Sequence, residues 1–142
     1  SGGFLTADSP GTLISGASAE GYSLGFKVTI DALTAGGSYA STKGNPSAGT
    51  DSATSFEGSG FNIGVAYALD PTTISLSYYQ GAVEDGVATA GESAHETIMA
   101  SLSHEMGPGV TAIASLFHTR FEADSGTKNE GTCFIGGLVL EF

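Results

Sequence analysis

The chain has 142 residues, a length for one domain, with 22 glycines and only 13% charged residues. Fifteen acidic against four basic side chains, a net charge of −11, exclude nucleic-acid binding and make an anionic membrane surface a poor partner. A 40% apolar share excludes compositional disorder, no apolar run reaches the about 18 residues of a membrane helix, and the single Cys133 excludes an intramolecular disulfide.

The start shows no basic region followed by an apolar run, so no uncleaved signal peptide is expected. A first residue of Ser rather than Met reads as a processed, engineered or partial chain. Residues 1–5 read as the tail of a strand and 6–20 as a long loop. Period-two alternation then begins. Tyr22, Leu24, Phe26, Val28 and Ile30 share one face, against Ser23, Gly25, Lys27, Thr29 and Asp31. Residues 33–41 alternate more weakly. Phe61, Ile63, Val65, Tyr67 and Leu69 form the next apolar face, followed by Ile74, Leu76 and Tyr78, then by Ile98, Ala100 and Leu102. Residues 110–121 are ambiguous. We expect Ile113, Phe117 and Phe121 on their apolar face, with His118 and Arg120 opposite. Phe134, Leu138, Leu140 and Phe142 make a last apolar face.

These segments predict seven full strands of about 9–12 residues, against about 5–6 in an ordinary sheet. Lengths near 10 suit tilted strands crossing a bilayer. The connections alternate in length. Short turns are expected at Asp31-Ala32, at Asp70-Pro71 and at Met106-Gly107-Pro108-Gly109, where Asp, Pro and Gly favour tight turns. Long loops are expected over residues 42–59, 81–95 and 122–131. Short turns at one rim and long loops at the other are the pattern of a membrane-inserted meander.

A soluble sheet also alternates. The second face separates the cases, because here it carries Ser, Thr, Gly, Ala and Asn with few charges. A soluble sandwich would place Lys, Glu and Arg there. Aromatics near the strand ends suit interfacial girdles. The expected fold is all-β: an antiparallel up-and-down transmembrane β-barrel in one domain, residues 1–142. Bacterial barrels have even strand counts and residues 1–5 are too short to span. Seven full strands therefore read as the C-terminal part of a larger barrel, or as one whose other strands come from another chain.

Three segments also resemble a known family. They are Gly107-Pro108-Gly109-Val110-Thr111, the strand through Leu116-Phe117, and the ending from Gly131-Thr132-Cys133-Phe134 to Leu140-Glu141-Phe142. They are similar to the last hairpin and terminal strand of Gram-negative porins, most of all the alphaproteobacterial general porins. Phe61-Asn62-Ile63-Gly64-Val65-Ala66-Tyr67 followed by Thr73-Ile74-Ser75-Leu76-Ser77-Tyr78 resembles an inner hairpin of the same family. The resemblance implies a 16-stranded, trimeric channel of the outer membrane. It implies that Phe142 belongs to the signal read by the outer-membrane assembly machinery. The chain is about half the length such porins have, so the loop that folds into their pore is expected in an N-terminal half outside these 142 residues, and its constriction residues are not carried over.

The remaining chemistry is sparse. His95 and His104, nine apart, would face opposite sides of one strand, and His118 lies on the next, so no metal site is expected. No G-x-S-x-G elbow and no phosphate-binding glycine loop occurs, and no enzyme is expected. The acidic clusters Glu84, Asp85, Glu92, Glu96 and Glu122, Asp124, Glu130 read as solvated loop charge. No cofactor is expected, with calcium between the acidic loops as the alternative. Lys27, Asp31, Asp70, Glu105, Arg120 and Glu141 are expected on the inner face or its rim, where charge sets ion preference. Their acidic balance predicts a mild cation preference. The expected partners are small hydrophilic solutes and ions, outer-membrane lipid and two further copies in a homotrimer. The alternative is a soluble or surface-exposed β-sandwich adhesin or binding module, with its apolar faces buried between two sheets.

Overall fold

The structure is a computed structural model and describes residues 2–8, 18–45, 56–85, 92–123 and 125–141. Its elements are β1 (Gly2–Asp8), β2 (Ser18–Ile30), β3 (Leu33–Asn45), β4 (Phe56–Leu69), β5 (Thr72–Asp85), β6 (Glu92–Gly107), β7 (Val110–Glu122) and β8 (Lys128–Leu140). They form one sheet in chain order, each strand antiparallel to the next. The up-and-down meander is thus as expected, with an eighth, shorter strand at its start.

Strands β2 to β8 run 13–16 residues, longer than the expected spans. Apolar alternation marks only part of each strand. Backbone pairing continues past it into polar sequence, as where Glu57 pairs Glu84 and Glu84 pairs Glu92. The expected loop over 6–20 shrinks for the same reason, since β1 reaches Asp8 and β2 starts at Ser18.

The three short turns fall where Asp, Pro and Gly placed them. Each is stitched to the next strand along. Ala32 O accepts from Ala68 N–H at 2.9 Å, Pro71 O from Glu105 N–H at 3.0 Å, and Gly109 O from Glu141 N–H at 2.9 Å. Polar backbone left over by the turns is thereby paired, as a bilayer demands. Gly109 has φ +71, and a Cβ there would collide with the Glu141 carbonyl oxygen. Gly109→Val is expected to cost about 1–3 kcal/mol of stability in lipid vesicles, read by urea titration. An unchanged midpoint would show that the stitch is dispensable.

Among the described residues there is no buried hydrophobic side chain at all. Most of the large apolar groups stand exposed on one face, with Leu24 at 69%, Ile63 at 53% and Leu138 at 64%, while Val83, Met99, Ile113, Ile135 and Val139 are exposed on the other. A sandwich would bury these faces between two sheets, and the described strands form a single sheet. The sandwich alternative is therefore set aside. A continuous exposed apolar face of this extent needs a nonaqueous neighbour.

The band is also oblique. Its aromatic border runs from Tyr22 on β2 through Tyr39, Phe61 and Tyr78 to Phe134 on β8. Tyr39 and Phe61 lie straight across from each other, while Tyr22 meets Tyr39 and Phe61 meets Tyr78 diagonally, with ring centroids 5.9 Å and 5.8 Å apart. Along the hydrogen-bond ladder, Phe134 is level with Leu116, Ala100, Leu76, Val65, Ala35 and Val28, and Val28 lies six residues below Tyr22. The border thus drops by about one residue per strand. With about 3.3 Å per residue and about 4.8 Å between strands, that is a tilt near 35°. Barrel strands that cross a bilayer tilt by about 35–45°.

Candidate functional site

Residues opposite one another across a sheet share a face, so the pairing defines the second face row by row. One row reads Lys27, Gly36, Gly64, Ser77, Met99, Phe117, Cys133. The row toward the short turns reads Thr29, Thr34, Ala66, Ser75, Ser101, Ser115, Ile135. The row toward the long loops reads Gly25, Ser38, Asn62, Tyr79, Thr97, Thr119, Gly131.

The hydroxyls on this face bond across the strands. Thr29 and Thr34 lie 3.1 Å apart, Ser101 and Ser115 2.8 Å, and Thr97 and Thr119 3.0 Å; Asn62 Nδ2 donates to Ser38 Oγ at 2.8 Å. Small side chains leave a hollow of about 660 Å³ over β2 to β6, with Lys27, Thr34, Asn62 and Ser75 on its wall. Rich in hydroxyls and poor in charge, the face can solvate water and ions without holding any of them tightly.

A family model described as Gram-negative porin matches residues 2–124. The chain belongs to the Gram-negative porin family. Among solved structures this porin chain is similar to OmpTdeltaL8, a loop L8 deletion mutant of OmpT, an outer membrane protein of Vibrio cholerae. The TM-score is 0.75 at 16% identity, over 88% of this chain and 44% of that one. At that identity the likeness is one of fold, and this chain spans less than half the length of its neighbour. No curated protein matches it. Family and fold place the porin in the outer membrane of a Gram-negative bacterium.

The register puts Lys27 in the middle of the polar face. Gly36 and Gly64 lie beside it in the row, and it makes no ion pair among the described residues. Asp31 and Asp70 sit in short turns, Glu105 pairs Thr111 next to the third, and Glu141 follows β8. The acids therefore mark the short-turn rim. Phe142, expected as an assembly signal, lies outside the described residues, as does Asp124.

Arg120 requires a correction. It pairs Glu96 and Glu130, on the face that carries Leu116, Leu102 and Phe134, not on the face of Lys27. The phase expected for β7 is reversed: Ile113, Phe117 and Phe121 belong to the polar face. Arg120 stands beyond the aromatic border, toward the long loops, 4.0 Å from Glu96 and 3.7 Å from Glu130. Lys43–Glu57 at 3.5 Å and Lys128–Glu122 at 3.0 Å extend this zone of paired charge. Such exposed pairs contribute little to stability. Their position shows where the nonpolar zone of this face ends.

The histidines do not converge. His95 is on the polar face, and His104 and His118 are on the other, bonded to Thr72 Oγ1 at 2.7 Å and Thr132 Oγ1 at 3.0 Å. Among the described residues no group of three or more His, Cys, Asp or Glu could hold a metal ion. One constellation was invisible in the sequence. Tyr79, His95 and Phe121 gather at the long-loop end of the polar face, because Gly81 pairs His95 and His95 pairs Phe121. The glycines at 58, 60 and 81, all in the polar phase, were the available signal.

Proposed function

We propose that this porin chain forms part of the wall of a water-filled channel. Small hydrophilic solutes and ions cross it passively, down their gradients and without chemistry. The hydroxyl- and glycine-lined face turns to the lumen, and the oblique apolar band turns to lipid. That pairing of a hydroxyl-rich polar face with an exposed, tilted apolar face carries the reading. The eight strands belong to a larger barrel of 16 strands, assembled as a trimer, in the manner of the alphaproteobacterial general porins and as their C-terminal part. Phe142 acts in assembly there. Acids at the short-turn rim outweigh Lys27 and give a mild cation preference, softened by salt screening over about 8–10 Å. No cofactor takes part.

Cys133 offers a direct test, because it is exposed and in the row of Lys27. In the full-length protein reconstituted in lipid, a charged methanethiosulfonate reagent is expected to modify it and lower single-channel conductance stepwise. Cys133→Ser should abolish the effect. Modification by membrane-soluble maleimide alone, with conductance untouched, would place this face against lipid and overturn the reading.

A further inference from the structure

We propose that the hollow at Tyr79, His95 and Phe121 is a subsite for a neutral, ring-shaped polyhydroxy solute, a pyranose sugar. The proposal rests on the channel reading above and gives the wall a specific ligand class. The hollow is open to one side and holds about 630 Å³, within the range of small-molecule sites. Its floor is kept low by Gly58 and Gly60. A Cβ at Gly81 would collide with the Tyr79 hydroxyl, and one at Gly60 would lie 3.4 Å from it, so the phenol ring lies over backbone that only glycine leaves open.

Three rings then stand side by side. Tyr79 and His95 meet edge to face, with centroids 5.7 Å apart at 69°, and Phe121 is the direct cross-strand neighbour of His95. The imidazole is held in place through Nε2, which is 2.7 Å from Thr119 Oγ1 and 3.2 Å from Thr97 Oγ1. Tyr79 and Phe121 are each 41% exposed, so their rings remain available. The Tyr79 hydroxyl makes no hydrogen bond among the described residues, and the hydroxyls of Thr42 and Ser93 complete the lining.

The chemistry selects the ligand. Among the described residues no Asp, Glu, Lys or Arg lines the hollow, so none of them favours a charged solute there. Aromatic faces take up the C–H-bearing face of a sugar ring, and hydroxyls meet its hydroxyl groups. An acyclic polyol offers the same hydroxyls with no ring to stack. On the outer face of β5, Gln80 already lies beyond the aromatic border at Tyr78, which puts Tyr79 level with the entrance on the long-loop side.

The test uses the full-length protein in planar bilayers, with D-glucose or sorbitol added on the long-loop side. Glucose is expected to reduce the open-channel current saturably, and sorbitol only in proportion to viscosity. Tyr79→Ala should raise the half-saturating glucose concentration about tenfold, a factor in keeping with loss of one stacked ring. Phe121→Leu serves as a second variant if the first does not assemble. A channel that conducts but shows no saturable glucose effect, or one unchanged in both variants, overturns the subsite and leaves the channel standing. A protein that carries no ion current at all overturns the channel reading and the subsite with it.

Discussion

Arginine at position 76 is expected to lower the stability of the folded protein in lipid by about 2–4 kcal/mol, and arginine at the adjacent Ser77 to leave it nearly unchanged. The two residues are neighbours on β5 with opposite orientations. Leu76 pairs Val65 and Ala100 in the middle of the apolar band, below the border drawn by Tyr78 and Phe61. A guanidinium there meets hydrocarbon, where no water or counter-charge is within reach. Ser77 lies between Gly64 and Met99 on the polar face, where an added charge stays hydrated. Reversible urea unfolding from phospholipid vesicles reads both variants in the same way. Equal losses at the two positions would contradict the division of faces, and a loss confined to Ser77→Arg would invert it.

Reversing the charge of Lys27 should have the largest effect on ion preference. Lys27→Glu changes the charge at one point on the polar face, the proposed lumen wall, by two units. At about 6 Å in water, each unit is worth about 0.7 kcal/mol to a passing ion before screening. Averaged over a hydrated lumen, the cation-to-anion permeability ratio should rise about two- to threefold at low salt and much less near 1 M, where the screening length is about 3 Å. Arg120→Glu is the control. Arg120 stands on the face of Leu116 between Glu96 and Glu130, away from the proposed lumen wall, so the same reversal should leave the reversal potential in a KCl gradient unmoved. A shift from Arg120→Glu equal to that from Lys27→Glu would return Arg120 to the pore.

The different standing of these two cations shows what the local pattern could resolve. On β2 one phase is wholly apolar, from Tyr22 to Ile30, and Lys27 falls in the other without ambiguity. On β7 both phases carry apolar residues: Ile113, Phe117 and Phe121 in one, Ala112, Ala114 and Leu116 in the other. Bulk alone favoured the first. Pairing with β6 decided for the second, because Leu116 must lie opposite Ala100 if Ser101 is to meet Ser115. The expected loops erred for a related reason. A polar strand end has the composition of a loop, and its hydrogen bonds become visible only with its partner in place.

By itself the sequence determined the class: an antiparallel meander of long strands, short Asp, Pro and Gly turns at one rim, and a second face too poor in charge for a soluble surface. Those features are local, since side-chain alternation and turn chemistry depend on residues one to four apart. Only the tertiary structure decided the register, and with it the oblique drop of the aromatic border, the phase of β7, the place of Arg120 on the face of Leu116 and the meeting of Tyr79, His95 and Phe121. Each of these depends on which residue faces which across the ladder. A one-residue slip exchanges the faces while leaving the composition of every strand unchanged.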